Sequence, residues 1–340
     1  MKKFAILLGF VAFFLAGFVT GILIDKKNHR DKVVNETAVY KEKVLPLEKY
    51  SFDNLAKGNI KAGNFTVVDL LDSDEEYSSY LFEFEFSPDL GNETKKTTGM
   101  LNIPNGDGKY PLIVMNRGYV DQKIYVTGVG TRNSSYEYAK AGFITVAVDF
   151  LGYGGSDEQA GDVLEARFQS YVAVLSLLKS LDQIEQWNKQ DLYLWGHSNG
   201  GLISLTVLAV TGEDYPTVLW APVSKPFPYS VLYYTDESDD GGKFLRGEIA
   251  RFEQDYDASK YSIDKYLDRI KARLQIHQGG ADDAVPIDWS NDLAGMLEKN
   301  GLEIVYYTYP AADHNMNPDW DTVVARDIEF FNNNNRISYD

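Results

Sequence analysis

The sequence predicts an α/β fold built on a mostly parallel, doubly wound sheet with antiparallel strands at its N-terminal edge. Three observations carry that expectation. From residue 111 onward, short apolar runs alternate with helix-length stretches, as right-handed crossovers between parallel strands require. Ahead of them, Tyr80-Leu81-Phe82-Glu83-Phe84-Glu85-Phe86 alternates aromatic and acidic side chains, the mark of a half-buried antiparallel strand. Third, the apolar run Leu192-Tyr193-Leu194-Trp195 passes through Gly196-His197-Ser198-Asn199-Gly200 straight into Gly201-Leu202-Ile203-Ser204-Leu205. A strand that ends in G-x-S-x-G and continues as a helix lifts the serine hydroxyl above the sheet on a sharp turn.

Taken in order, residues 25 to about 60 are polar and charged and read as a tether with some helical content. Residues 80–86 and 98–104, joined by a polar turn at Asn92-Glu93-Thr94, form the antiparallel edge. Parallel strands are expected near 112–115, 144–149, 191–196, 217–220, 273–277 and 303–309, and helices near 133–141, 162–181, 200–211, 287–300 and 319–332. Gly152-Tyr153-Gly154-Gly155-Ser156 reads as a tight turn at the site mouth, because the chain has neither G-x-G-x-x-G nor a Walker lysine. Residues 224–270 break the alternation and read as a cap inserted over the site. The cap aromatics Phe227, Tyr229, Tyr233 and Tyr234 either line a pocket or pack the cap onto the body, and the acidic run from Asp236 to Asp240 reads as a solvated loop.

An isolated serine is a poor nucleophile at neutral pH and needs a base. The chain has four histidines. His29 lies beside an apolar N-terminal segment, and His197 sits within the turn itself, where neighbouring side chains are expected to diverge. His277 closes an apolar strand and reads as structural. His314 follows the strand around 304–309 in a polar loop, where an open α/β sheet presents its reactive groups. Asp282 and Asp283, also just past a strand, are both candidates for the acid that orients the histidine. Developing negative charge needs two backbone donors. Asn199 supplies the first and Tyr119, in the loop Asn116-Arg117-Gly118-Tyr119, the second; the side chains of Arg117 and Tyr119 are further candidates.

The stretches Gly196-His197-Ser198-Asn199-Gly200-Gly201, Gly279-Gly280-Ala281-Asp282-Asp283-Ala284-Val285-Pro286 and Tyr309-Pro310-Ala311-Ala312-Asp313-His314-Asn315 resemble those of α/β-hydrolases of the prolyl oligopeptidase family. The resemblance covers roughly residues 95 to 332. It implies an α/β-hydrolase fold, a triad of Ser198, Asp282 and His314, and a serine-type peptidase acting through an acyl-enzyme on short peptides or acyl-amino acids. It implies no cofactor and no metal. The match departs from the family where Gln278 stands between His277 and Gly279, and where the oxyanion loop lacks a His-Gly-Gly pattern. The chain also has no room for the β-propeller of larger members. A carboxylesterase acting on small acyl esters is therefore the second reading, and a non-catalytic surface binding protein the third.

The chain has 340 residues, a formal net charge of −17 and no cysteine. The acidity argues against a nucleic-acid partner, and the missing cysteine excludes thiol nucleophiles, disulfides and cysteine metal sites. Phe4 to Ile24 carries no charge and is long enough for a bilayer core. Residues 1–24 are therefore expected to be an anchor or uncleaved signal placing the catalytic domain outside the cytoplasm, with secretion after cleavage as the alternative. The expected organisation is 1–24 anchor, 25–75 juxtamembrane extension, and 76–335 catalytic domain with the cap at about 224–270. The oligomeric state is not legible.

Overall fold

The computed structural model describes residues 43–334, and a compact unit begins at Leu45. The expected membrane segment, Phe4 to Ile24, lies outside the described residues; among these, no helix is long and apolar enough to cross a membrane.

The described residues form a nine-stranded sheet. In chain order its strands are β1 (Asn64–Ser73), β2 (Tyr77–Phe86), β3 (Lys95–Pro104), β4 (Tyr110–Asn116), β5 (Ile144–Val148), β6 (Trp187–His197), β7 (Thr217–Trp220), β8 (Leu274–Gly279) and β9 (Ile304–Tyr309). Across the sheet they run β1-β2-β3-β5-β4-β6-β7-β8-β9. The pairs from β1 to β5 are antiparallel, and those from β5 through β4 to β9 are parallel. This is the expected α/β-hydrolase sheet with its antiparallel N-terminal edge. Parallel strands covered on both faces read as continuous apolar runs, and β4, β5 and β7 are buried along nearly their whole length.

The helices are α1 (Phe52–Lys57), α2 (Arg132–Lys140), α3 (Val163–Leu178), α4 (Asn199–Thr211), α5 (Tyr229–Leu232), α6 (Lys243–Asp255), α7 (Ile287–Lys299) and α8 (Trp320–Asn333). Asp162 caps α3, accepting from the backbone N–H groups of Leu164 and Glu165. Helix α4 is buried from Gly200 to Val210, so its sequence shows no polar face.

Two expectations need correction. The sheet starts earlier than residue 76, because Asn64–Ser73 forms its edge strand β1. Its doublets Val67-Val68 and Leu70-Leu71 hide the alternation. Register shifts between Val67 and Asp69 and between Leu70 and Asp72 absorb the extra residues, so both members of each doublet stay at least partly in solvent. The tether expected to reach about residue 60 is also too long. From Leu45 the chain belongs to the folded unit, with Leu47, Tyr50, Phe52 and Leu55 buried. The Tyr50 hydroxyl donates to Glu165 on α3 at 2.9 Å, and the Tyr261 hydroxyl donates to the Leu47 carbonyl at 3.0 Å.

Residues 224–270, between β7 and β8, hold α5, α6 and four short 3₁₀ turns. Their aromatics divide between the two expected roles. Phe227, Phe252 and Tyr261 surround Phe168 of α3 at ring-centroid distances of 6.0, 6.2 and 5.1 Å, which fastens the segment to the body. Tyr234, with Val231 and Leu245, faces a cleft over the sheet. The acidic run is engaged rather than simply solvated. Asp236 pairs with Arg246 at 3.1 Å, and Asp240 accepts from the N–H groups of Gly242 and Phe244 at the start of α6.

Candidate active site

From β4 the chain crosses to β5 on one side, then returns past β4 to β6 and continues through β7 to β9 on the other. The strand order therefore reverses between β4 and β6, where ligands bind beyond the strand C-termini in open α/β sheets. Ser198 stands at that point, one residue past the end of β6. Its backbone is at φ 56° and ψ −119°, an unfavourable conformation for a residue with a Cβ. Three contacts hold it there: the Ser198 N–H donates to the Trp220 carbonyl at 2.9 Å, and its carbonyl accepts from Gly201 at 2.9 Å and Val223 at 3.0 Å.

The glycines of the motif answer to backbone crowding. A Cβ on Gly200 would stand 1.8 Å from the Asn116 carbonyl oxygen, and one on Gly196 would stand 2.5 Å from the Gly200 carbonyl oxygen. Gly118 lies as close from the other side, since a Cβ there would meet the Ser198 Cβ at 3.0 Å. The end of β4 and the serine turn are thus in direct contact. This positions the Asn116–Tyr119 loop, while the turn places Asn199 at the N-terminus of α4, whose dipole favours negative charge.

Asp282 follows β8 and His314 follows β9. Gly279 and Gly280 let the two loops nest: a Cβ on Gly279 would meet the Ala312 carbonyl oxygen at 2.3 Å, and one on Gly280 the Pro310 carbonyl oxygen at 2.7 Å. His314 Nδ1 lies 2.9 Å from Asp282 Oδ2 and 3.1 Å from Oδ1. Asp282 Oδ1 also accepts from the backbone N–H groups of Ala284 at 2.9 Å and Val285 at 2.8 Å. Burial alone would raise the Asp282 pKa. The hydrogen bond from His314 and those from Val285 and Ala284 outweigh it, and the carboxyl is held below its ordinary range. The Asp282 side chain is fully buried, whereas that of His314 is 18% exposed. The pair thus presents one edge of an imidazole to solvent and keeps its counter-charge dry. Asp283 is exposed and makes no such contact, so of the two candidates Asp282 is the one beside His314.

Two neighbours escaped the sequence reading. The His197 ring does not diverge from the site; it packs 4.6 Å, centroid to centroid, from the His314 ring. Its Nε2 lies 2.9 Å from the His314 carbonyl oxygen, which ties the end of β6 to the loop after β9. Burial, with His314 alongside, pushes the His197 pKa down to about 4, so at neutral pH the ring is uncharged and donates through Nε2–H. Gln278, the residue that interrupts the family pattern, is fully buried. Its amide nitrogen reaches Asp282 Oδ2 at 3.0 Å and the Val285 carbonyl at 3.1 Å, and its oxygen accepts from Ser290 at 2.6 Å. Its departure from the pattern was the available signal.

The remaining candidates divide. Tyr119 lines the cleft, and its side chain is 79% exposed. Arg117 does not turn its guanidinium toward the serine. The side chain is buried, stacks over Tyr153 and Tyr125, and donates to the carbonyls of Gly118 and Asp149. Arg117 therefore stiffens the loop that carries Tyr119. His277 is structural, as expected: both ring nitrogens are engaged, with Asp327 at 2.8 Å and the Tyr309 hydroxyl at 2.7 Å, and it is fully buried.

Ser198, Asn199, His314, Gly118 and Tyr119 open into one cleft of about 1680 Å³, bounded on the other side by Val231, Tyr234 and Leu245. Among the described residues, no group of three or more His, Cys, Asp or Glu side chains is arranged to hold a metal ion.

Comparison with known structures shows the same fold. An acetyl xylan esterase from Thermoanaerobacterium sp. JW/SL YS485 superposes with a TM-score of 0.60 at 16% identity, over 84% of this chain and 93% of that one. An acylaminoacyl peptidase from Pyrococcus horikoshii superposes with a TM-score of 0.56 at 17% identity, over 83% of this chain and 52% of that one. By sequence, an Escherichia coli protein described as an uncharacterized 31.7 kDa protein in the traX-finO intergenic region is 29% identical over 104 residues, and only 32% of its length is spanned. The model of the prolyl oligopeptidase family matches residues 130–335, a stretch that contains the serine turn, Asp282 and His314. That match covers more than half of the sequence, and the chain belongs to the prolyl oligopeptidase family.

Proposed function

We propose that the protein is a serine hydrolase acting through an acyl-enzyme, with Ser198 as nucleophile, His314 as base and Asp282 as the acid that orients it. The observation that carries this reading is the contact of His314 Nδ1 with a buried Asp282, in the cleft that also holds the strained Ser198 turn. With Nδ1 committed to the carboxylate, the other ring nitrogen is the one left to take the Ser198 proton. The serine oxygen then attacks the substrate carbonyl, and the negative oxygen is received by the N–H groups of Asn199 and Tyr119. His314 returns the proton to the leaving amine or alcohol. Water, deprotonated by the same imidazole, hydrolyses the ester on Ser198 and restores the enzyme.

Membership of a peptidase family supports a short peptide or acyl-amino acid as substrate. An ester is the second reading, since an acetyl xylan esterase is among the structures that share the fold. Treatment of the full chain with a fluorophosphonate tests the hydrolase reading. Covalent labelling at Ser198, lost in Ser198→Ala, is expected; an intact protein that never labels would leave a binding protein as the better account. Comparing short acyl esters with dipeptide amides then decides the leaving group, and turnover of esters alone removes the peptidase reading.

A further inference from the structure

Of the charged side chains that line the cleft without a part in the chemistry above, Arg167 is the one that touches Asn199. Arg167 lies on α3, half-buried, and its guanidinium lines the same cleft as Ser198. It donates to the Asn199 side-chain oxygen at 3.1 Å, which places it against the residue next to the nucleophile. A guanidinium carries five N–H donors in a planar fork matched to a carboxylate. Among the described residues, no carboxylate lies within ion-pair distance of Arg167, and Asn199 is the one side chain its guanidinium is bonded to.

The acids just ahead of the helix that packs on α3 do not neutralise it. Helix α6 packs on α3, and Asp236 and Asp240 precede α6. Asp236 pairs with Arg246, and Asp240 is committed to the N–H groups of Gly242 and Phe244. Asp239 lines a neighbouring pocket of about 410 Å³ rather than the cleft. The other charged residues lining the cleft, Arg132, Glu137 and Asp321, stand on α2 and α8, and Glu137 is engaged by Lys140 at 2.9 Å. A half-buried cation without a counter-ion, aimed into a cleft, is poorly compensated until an anion reaches it.

We propose that Arg167 receives a carboxylate of the substrate, so that the compound cleaved at Ser198 is an acidic peptide or ester rather than a neutral or cationic one. The inference rests on the serine-hydrolase reading and adds a substrate class to it. The side of the scissile bond is left to the probes. p-Nitrophenyl hydrogen glutarate against p-nitrophenyl butyrate places the acid on the acyl side. An N-acyl dipeptide with a free C-terminus against its C-terminal amide places it on the leaving side.

With the full chain, the acid member of at least one pair is expected to have the higher kcat/KM, by about 10- to 100-fold, the worth of a charged hydrogen bond. In Arg167→Gln that ratio falls at least tenfold, whatever the absolute rates, and Arg167→Lys, which keeps the charge but not the fork, retains part of it. A wild-type protein that treats the acid and neutral members of both pairs alike overturns the proposal. So does an Arg167→Gln protein that keeps the preference or loses rate equally on both members, since Arg167 would then act only by holding Asn199. Failure of the hydrolase reading is separate, because it appears as absent fluorophosphonate labelling of the wild type.

Discussion

Gly200→Ala probes the contact between the serine turn and the end of β4. The added methyl would stand 1.8 Å from the Asn116 carbonyl oxygen, 2.4 Å from its carbon and 2.7 Å from the Arg117 carbonyl oxygen. All three are backbone atoms, so no side-chain rotation relieves them. Ordinary Cβ contacts do not fall below 3.0 Å, so β4 and α4 must separate by about 1 Å. The move is not free. Asn116 is paired with Gly196 in the sheet, and its side chain donates to Ser204 on α4 at 2.9 Å. Overpacking of this kind costs roughly 1–3 kcal/mol, and a misplacement of about 1 Å at a reacting centre costs on the order of 10²-fold in rate. Thermal unfolding and the rate of fluorophosphonate labelling measure the two effects. Gly247→Ala is the control, because Gly247 is exposed within α6 with nothing within 4 Å of the added methyl. It is expected to stabilise by roughly 0.5–1 kcal/mol and to leave labelling unchanged. A Gly200→Ala protein with the wild-type melting temperature and labelling rate would refute the tight fit between turn and strand.

Asp282→Asn keeps the shape of the loop but removes the charge and one acceptor facing His314, Ala284, Val285 and Gln278; kcat is expected to fall about 10³- to 10⁴-fold, and a loss under tenfold would remove Asp282 from the proposed mechanism. His197 makes a prediction about pH. Its folded pKa of about 4 lies below the ordinary 6.5, so folding holds the ring neutral; the stability this contributes is present above pH 6.5 and is lost as pH falls toward 4. Between pH 7 and 5 this one group accounts for roughly 2 kcal/mol of lost stability. His197→Phe is expected to be less stable at pH 7, since the His314 carbonyl loses its donor, yet to lose less stability than wild type on going to pH 5. Denaturant unfolding at both pH values checks this, and identical losses would place the His197 ring in water.

The sequence made the parallel half of the sheet legible because each buried strand is a short apolar run bounded by turn residues. It concealed β1, whose doubled valines and leucines imitate no period until two register shifts are allowed for. It also concealed the packing of residues 45–61, since Leu47, Tyr50, Phe52 and Leu55 are too widely separated by polar residues to show a period. Within the candidate site, the placements of Ser198 and His314 were legible from position: one in a glycine-walled turn, the other in a loop past a strand. Gln278, His197 and Arg167 were not. Their roles depend on which way a side chain turns at a strand end or on a helix, and chain spacing does not encode that. Gln278 sits on β8 and meets Asp282 only because the Gly279-Gly280 turn brings the aspartate back under the strand.

Two histidine–aspartate pairs among the described residues show what distinguishes an open pair from a brace. His277 and Asp327 approach to 2.8 Å, as closely as His314 and Asp282 at 2.9 Å. By distance alone either is a candidate. At His277 the second ring nitrogen is closed by Tyr309, whose hydroxyl also accepts from Arg326 at 2.9 Å, and the Asp327 carboxylate is saturated by Tyr138, Trp220 and Gln275. Both side chains have no exposure, so a proton there has nowhere to go. At His314 the carboxylate is equally well satisfied, by two backbone amides and Gln278, but the imidazole keeps an edge in the cleft that Ser198 also lines. A fully bonded pair fixes the packing of β8 against α8, whereas a pair with one open nitrogen can hand a proton on. The difference follows from where the loops after β8 and β9 rise above the sheet, which is why a histidine beyond a strand end was the better candidate than one within it.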